Sequence, residues 1–251
     1  MMLTKADIFG VRVDASQFDA AADAIHMRSH TRGGVVCVAN VDMVTRAVTD
    51  RRLFDIMRGA YAVVADGMPL VWRLRAAGQP GAARVCGPQL MTALCARAAR
   101  GGSSVFFYGG TSQELALSTA NLVQMYPALR IAGAVSPPML DADPPLDMAT
   151  VDAINQSGAS ILFVGLGCPK QEYWMGTHSP HLHPLCIGVG YAFALTAGLQ
   201  RQAPAWMQRS GLEWLFRLAQ EPGRLWRRYL IGNSKYFWYL LRSKVGWQAQ
   251  F

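Results

Sequence analysis

Short continuous runs of apolar residues recur through the first 190 positions of the chain. Between them lie segments whose apolar residues return every three or four positions, which is the spacing of a helix. Apolar runs without polar alternation are typical of strands that are covered on both faces. The candidate strands are Ile8–Val13, Val35–Ala39, Ala62–Ala65, Ser104–Tyr108, Ile131–Val135, Ile161–Val164 and Leu185–Val189. Strands that alternate with helices predict an α/β fold with a doubly wound, mostly parallel, Rossmann-like sheet.

The helical segments divide the chain into two parts. The candidate helices are Val41–Arg58, Pro88–Ala99, Ser112–Met125, Ala205–Ala219 and Pro222–Lys244. Thr111 is a candidate N-cap of the third helix, which has Glu114 in its first turn. Because only helices are predicted after Gln200, we expect an α/β core over residues 1–200 and a helical appendage over residues 201–251.

The appendage is basic and aromatic. It has nine Lys/Arg against two Asp/Glu, whereas residues 1–200 have 15 against 14 and are nearly neutral. It also has 11 of the 25 aromatic residues. Basic and aromatic residues on an amphipathic surface favour binding to an anionic membrane. Packing of a basic helical hairpin on the sheet is the second interpretation, and binding to nucleic acid is the third.

Other features indicate the cellular compartment and exclude some sites. Residues 1–7 contain no apolar segment of the kind that a secretory signal needs, and the five cysteines are odd in number without a Cys-x-x-Cys pair. We therefore expect a reduced, cytoplasmic protein. His178, His181 and His183 lie between or beside prolines with no further ligand at metal spacing, so a polar loop is favoured over a metal site. The apolar helices leave a homo-oligomer open.

Three polar residues stand at positions where chemistry is expected. Asp66 follows an apolar strand, and the carboxyl end of a parallel strand faces the ligand crevice, where a general base would lie. An N-cap of the next helix is the more common role for such an aspartate. Asn40 is open to the same two interpretations, a helix cap or a group that binds a sugar or pyrimidine. Arg84 either binds phosphate through its planar fork or is a solvated loop residue.

Two glycine-rich turns each follow a strand and precede a helix. They contain Gly109 and Gly110 in the first turn and Gly167 in the second. Backbone N–H groups at a helix start favour phosphate binding, so we expect contact with a nucleotide there. Neither turn matches Gly-x-Gly-x-x-Gly or Gly-x-x-x-x-Gly-Lys-Ser/Thr. A nicotinamide dehydrogenase or a P-loop ATPase is therefore not supported.

Several motifs taken together resemble one enzyme family. Phe163-Val-Gly-Leu-Gly-Cys-Pro-Lys-Gln-Glu-Tyr-Trp174 resembles the signature of the WecG/TagA/CpsF glycosyltransferases. Five further segments are similar to motifs of that family, in the same order along the chain. They are Val64–Gly67, Arg84–Gly87, Val105–Gly110, Arg201–Trp206 and Gly211–Arg224.

The resemblance implies an inverting glycosyltransferase that needs no metal and no cofactor. It implies a UDP-sugar donor, a polyprenyl-diphosphate-linked sugar acceptor, and a peripheral position on the inner face of the cell membrane, with no nucleic-acid partner. The resemblance also implies roles for individual residues. Asp66 would be the general base, Asn40 would orient a substrate, and Arg84 would contact the diphosphate. Lys170 and Gln171 would belong to the turn that holds the donor, and arginines of the appendage would close over the site. Those arginines are Arg217, Arg224 and Arg227.

The chain departs from the family pattern at three places. Val38 stands where many members have Thr, Ser136-Pro-Pro-Met replaces a Gly-Tyr-Phe sequence, and Ala194 replaces an acidic residue. We expect these positions to surround the sugar pocket, which favours a branch that serves xanthan-type exopolysaccharide with glucose as the donor sugar. The alternatives are transfer of N-acetylmannosamine or its uronate from UDP, and a non-catalytic module that binds a nucleotide sugar or a lipid.

Overall fold

The computed structural model describes residues 4–31 and 33–243, and for residues 224, 228 and 243 it describes the backbone alone. Within those ranges the strands are β1 (Lys5–Ile8), β2 (Val11–Asp14), β3 (Gly34–Ala39), β4 (Ala62–Ala65), β5 (Ser104–Gly109), β6 (Arg130–Val135), β7 (Ile161–Gly165) and β8 (Leu185–Gly188). The helices of the core are α1 (Phe18–Ser29), α2 (Val41–Ala47), α3 (Arg51–Gly59), α4 (Met68–Ala76), α5 (Gly87–Gly101), α6 (Ser112–Met125), α7 (Met148–Gln156), α8 (Lys170–His178) and α9 (Ala192–Thr196). The helices after residue 200 are α10 (Ala205–Arg209), α11 (Glu213–Gln220) and α12 (Pro222–Ser243).

The strands form a single sheet in the order β1-β2-β4-β3-β8-β7-β5-β6. Among the described strands, the pairing of β1 with β2 is antiparallel and every other pairing is parallel. Since parallel strands point the same way, the carboxyl ends of β4, β3, β8, β7 and β5 meet at one edge of the sheet. The predicted doubly wound, mostly parallel α/β sheet is confirmed.

Side chains of the strands pack into two hydrophobic cores, one on each face of the sheet. In β3, Val35, Cys37 and Ala39 point to the core formed with α2, α3, α4, α7 and α8. Val36 and Val38 point to the opposite core, formed with α1, α5, α6 and α9. Burial on both faces explains why the strands read as continuous apolar runs.

Three predicted elements are divided in the structure. The strand predicted over Ile8–Val13 is the hairpin of β1 and β2, because Phe9 and Gly10 turn with φ of 57° and 88°. The helix predicted over Val41–Arg58 is α2 and α3, because the side chain of Asp50 accepts the Leu53 N–H at 2.9 Å and starts a new helix. The helix predicted over Ala205–Ala219 is α10 and α11, with Gly211 at φ 73° between them.

The appendage packs against the first core rather than standing apart from it. Leu225 and Tyr236 are buried, and the Tyr236 ring lies 5.5 Å from the ring of Phe9. The Tyr236 hydroxyl donates to the carbonyl of Pro69 at 3.1 Å. These contacts hold α12 across α2 and the start of α4, at the edge where the strands end. None of the described helices is long and apolar enough to cross a membrane.

Candidate active site

Two neighbouring strands bring Asn40 and Asp66 to the same edge of the sheet. Asn40 follows β3 and Asp66 follows β4, and the Asp66 N–H donates to the Ala39 carbonyl at 2.6 Å. The Val85 N–H donates to the Ala65 carbonyl at 2.8 Å, so the loop after α4 returns to the end of β4. This return places Arg84 next to Asp66.

Arg84 and Asp66 form an ion pair, in which Nε of Arg84 donates to Oδ1 of Asp66 at 3.0 Å. The helix-cap interpretation of Asp66 is wrong, because Gly67 occupies the N-cap position of α4 and no side chain caps that helix. Burial raises the pKa of Asp66, and the positive charge of Arg84 opposes that rise. The net pKa of Asp66 is above the ordinary value of an aspartate, because the effect of burial is the larger.

The remaining contacts of Arg84 come from the appendage. Its Nη2 lies 2.5 Å from Oε2 of Glu213, and its Nη1 donates to Oε1 of Gln208 at 3.3 Å. Although burial disfavours the charged form, the carboxylates of Asp66 and Glu213 raise the pKa of Arg84, so that it stays protonated. The guanidinium thus joins the end of β4 to α10 and α11.

Tyr191 and Arg217 extend this network. The Tyr191 hydroxyl, just after β8, donates to Oε1 of Glu213 at 3.1 Å. The guanidinium of Arg217 lies over the Tyr191 ring, 3.9 Å from its centre, which is a cation–π contact. Glu213, Gln208 and Tyr191 were not predicted as site residues. Arg217 was predicted, whereas the only signal for Glu213 was its place in the motif Gly211–Arg224, which does not show that its side chain contacts the core.

A pocket lies between the core and the appendage around this network. Its walls combine Asn40, Asp66 and Arg84 of the core with Trp214, Arg217 and Tyr229 of the appendage. Asn40 also caps α2, since its Oδ1 accepts the Met43 N–H at 3.1 Å. The cap interpretation of Asn40 is therefore confirmed, and the same residue lines the pocket.

The glycine turns predicted to hold phosphate do not line this pocket. Gly109 allows β5 to approach β7, because a Cβ at this position would lie 2.6 Å from the Gly165 carbonyl oxygen. Gly110 lies beside Glu114, whose carboxylate accepts the Thr111 N–H at 2.7 Å in a capping box. At the start of α6, the N–H groups of Thr111 and Glu114 are therefore bonded to side chains of the same segment. Gly167 has a φ of 80°, and a Cβ at this position would meet no described atom within 4 Å.

Lys170 and Gln171 are held by neighbouring protein groups. The Lys170 ammonium donates to the Leu140 carbonyl at 2.6 Å, which ties the loop between β6 and α7 to α8. Gln171 is buried, donates to Glu172, and accepts the Gly190 N–H at 3.1 Å. The structure places both residues outside the pocket around Asp66. Their roles in binding the donor stay predictions.

The remaining predicted positions are spread over the fold. Arg227 lies in a groove beside the pocket, and the side chain of Arg224 lies outside the described part of the chain. Val38, Ser136 and Ala194, the departures expected around the sugar pocket, do not line the pocket around Asp66. Val38 and Ala194 are buried, and the Ser136 hydroxyl donates to the Gly110 carbonyl.

The histidines do not form a metal site. His178 ends α8 rather than lying in a loop, is fully buried, and stacks on Trp174 with ring centres 4.2 Å apart. In residues 4–31 and 33–243, no three side chains of His, Cys, Asp or Glu are grouped as a metal site requires.

Comparison with known proteins gives concordant matches. Residues 6–250 match the sequence profile described as the glycosyl transferase WecG/TagA/CpsF family. The chain is 29 % identical over 201 residues to an N-acetylglucosaminyldiphosphoundecaprenol N-acetyl-beta-D-mannosaminyltransferase of Bacillus spizizenii (strain ATCC 23059 / NRRL B-14472 / W23). The matched region covers 79 % of this chain and 76 % of the relative. A protein of the same name from Bacillus subtilis (strain 168) is 28 % identical over 200 residues, covering 79 % and 75 %.

Proposed function

Because the chain belongs to the WecG/TagA/CpsF family of glycosyltransferases, we propose that it transfers N-acetylmannosamine from UDP to an N-acetylglucosamine carried on a polyprenyl diphosphate. The names of the two relatives support this donor and acceptor. Glucose, the donor expected from the sequence, has less support than this alternative. The residues on which that expectation rested, Val38, Ser136 and Ala194, do not line the pocket around Asp66.

The observation that carries the proposal is the ion pair of Asp66 and Arg84 inside a pocket at the strand ends. In the proposed reaction, the Asp66 carboxylate removes the proton of the acceptor hydroxyl. The hydroxyl oxygen forms a bond to the anomeric carbon of the donor, and the bond between that carbon and the UDP oxygen breaks. A single displacement of this kind inverts the configuration at the anomeric carbon and needs one general base.

The departing UDP gains negative charge, which the site must neutralise. Arg84 and Arg217 supply two guanidinium groups in the pocket, and groups held in place stabilise such charge more effectively than water. Arg224 is proposed to add a third from α12. Since arginine stays protonated, these groups perform this role without a bound metal ion in the proposed mechanism.

The outer face of the appendage supports a position at the membrane surface. Large apolar side chains that are exposed there include Trp206, Trp226, Leu230, Phe237 and Trp238. They accompany the excess of basic residues, and aromatic and basic residues together suit the interface of an anionic bilayer. We propose that the protein binds the inner face of the cell membrane through this surface, where it meets its lipid-linked acceptor.

The test is a transfer assay with purified protein. The acceptor is N-acetylglucosaminyl diphosphate on a short prenyl chain, and the donors are UDP-N-acetylmannosamine, UDP-glucose and UDP-N-acetylglucosamine in parallel. We expect mass spectrometry to show one added N-acetylhexosamine with the first donor and little product with the others. Preferred transfer of glucose would overturn the proposed donor. UDP binding without product from any donor would contradict transfer and favour the alternative, a non-catalytic module that binds a nucleotide sugar.

A further inference from the structure

A second groove adjoins the catalytic pocket between α2 and α12. We call it the α2–α12 groove, and its basic residues are Arg46 on α2 with Arg227 and Lys235 on α12. Thr45 and Thr49 add hydroxyl groups to the same wall. Both hydroxyls donate to carbonyls of α2, of Val41 and Arg46, so the three cationic side chains are the groups suited to an anion with several oxygens, such as a phosphate or diphosphate.

The two carboxylates that line the groove are already engaged. Asp42 accepts from Nε of Arg46 at 3.0 Å. Asp50 accepts from the Leu53 N–H at 2.9 Å and from the Tyr173 hydroxyl. Among the side chains that the structure describes, no carboxylate lies within ion-pair distance of Arg227 or Lys235. The groove therefore has three cationic side chains against two carboxylates, and of those carboxylates Asp42 is paired with Arg46.

The groove adjoins the pocket that contains Asp66. Asp42 and Gly232 line both cavities, so they lie where the two meet. A Cβ at position 232 would lie 3.5 Å from Oδ1 of Asp42, an ordinary contact distance, so a larger side chain at this position would fill the passage. On its outer side the groove is bordered by Ile231, which is 51 % exposed and belongs to the apolar surface of α12.

We propose that the α2–α12 groove binds the diphosphate of the lipid-linked acceptor. The acceptor sugar then passes over Gly232 to reach Asp66, and the prenyl chain leaves over Ile231 toward the membrane. This order matches the order of the acceptor itself, which is sugar, diphosphate and lipid. The inference rests on the proposed function and adds Arg46 and Lys235 as acceptor-binding residues, whereas Arg84 and Arg217 serve the donor diphosphate.

The first test removes one groove charge. In Lys235→Ala we expect the KM for the short-chain acceptor to rise about tenfold, as for loss of a charge-assisted hydrogen bond, with the KM for the UDP-sugar unchanged. Arg242→Ala is the matched control, because it removes a positive charge from the same helix outside the groove. We expect its KM values to equal those of the wild type. An increase in the KM for UDP-sugar alone would assign the groove to the donor and overturn the inference.

The second test closes the passage between the two cavities. Gly232→Ala adds a Cβ at an ordinary contact distance, whereas Gly232→Leu fills the passage. We expect the alanine variant to retain the acceptor KM and the leucine variant to raise it at least tenfold, with UDP binding measured by calorimetry unchanged in both. Equal acceptor KM values in Lys235→Ala, Gly232→Leu and the wild type would overturn the inference. Absence of transfer by the wild type would instead contradict the proposed function.

Discussion

The guanidinium of Arg84 lies 2.5 Å from the carboxylate of Glu213, and this ion pair joins the core to the appendage inside the pocket around Asp66. The two side chains are only 14 % and 16 % exposed, so solvent screens their attraction less than it would at the surface. Arg84 also holds Asp66, so one guanidinium links the proposed base to the position of α11.

Replacement of Glu213 by Gln is expected to shift the pH dependence of transfer. The charge of Glu213 contributes to the raised pKa of Asp66, although burial is the larger cause. Removing that charge lowers the pKa of Asp66, so the acid limb of kcat/KM moves to lower pH. Profiles of kcat/KM against pH for both proteins measure the shift. Glu221→Gln, which removes an appendage carboxylate outside the pocket, serves as the control and is expected to keep the wild-type limb. A limb in Glu213→Gln that stays in place or moves to higher pH would contradict the expectation.

Replacement of Arg84 by Lys preserves the charge and removes the planar fork. Arg84 uses three nitrogens for three different partners, which a single ammonium group cannot reproduce. We expect kcat/KM to fall about 100-fold or more, the size of effect seen when one oriented donor to developing charge is lost. Steady-state kinetics measure this loss. Arg97→Lys, whose arginine pairs with Asp19 and Asp23 away from the pocket, should retain wild-type rates. Equal rates for the two variants would show that the geometry of Arg84 is not required.

Gly211→Ala tests the turn between α10 and α11. Gly211 has φ of 73°, and a Cβ there would lie 2.9 Å from the ring of Trp72. Gly198→Ala is a matched control, because Gly198 has φ of 75° and open space around it. Both variants are strained by about 1–2 kcal/mol. We expect Gly211→Ala to lose about 1 kcal/mol more, since Trp72 must move, and to lose activity because the turn positions Gln208 and Glu213.

Urea unfolding and the transfer assay measure the two effects of Gly211→Ala. A larger loss of both stability and activity than in Gly198→Ala supports the role of the Trp72 contact. Equal values in the two variants would mean that the contact between α4 and the appendage turn does not position the site.

His178 is expected to make the fold sensitive to mild acid. Its Nδ1–H donates to the Trp174 carbonyl at 2.8 Å, and its Nε2 accepts the Asp147 N–H at 3.1 Å, so the neutral ring is satisfied. Burial lowers the pKa of His178 below 6.5. Near pH 6.5 the unfolded chain therefore binds a proton at His178 that the folded chain does not bind. The free energy of unfolding falls as the pH drops below that value.

The measurement for His178 is the urea midpoint at pH 7.5 and at pH 5.5. We expect the difference between the two midpoints to be smaller in His178→Gln than in the wild type. His183→Gln, which replaces an exposed histidine, should keep the wild-type difference. A His178→Gln protein with an undiminished difference would assign the acid sensitivity to other groups.

The sheet could be predicted because strands that are buried on both faces consist of consecutive apolar residues, which are visible in the sequence. Val35–Ala39 and Ile161–Val164 are apolar throughout, and both are strands. The hairpin at Phe9 was missed because a non-glycine residue adopts positive φ there, with its ring held by Tyr236 from the other end of the chain. Because Phe9 and Tyr236 lie far apart in the sequence, the residues around Phe9 give no indication of this contact.

The site was predictable only in part for the same reason. Asp66 and Arg84 could be found from strand ends and motifs, and the structure brings them together. Glu213, Gln208 and Tyr191 join them through the packing of the appendage on the core, which no periodicity records. The glycine turns match a local pattern of phosphate binding, which stays a prediction, and the structure adds that Gly109 permits close packing of two strands.

The most direct test of the account is transfer by Asp66→Asn. Asparagine preserves the shape of the side chain and its contact with Arg84, but it cannot accept the proton of the acceptor hydroxyl. We predict that transfer of N-acetylmannosamine falls at least 100-fold, in line with loss of a general base, while calorimetry shows UDP binding with a dissociation constant near that of the wild type. Transfer at the wild-type rate by the folded variant would contradict the assignment of Asp66 as the base.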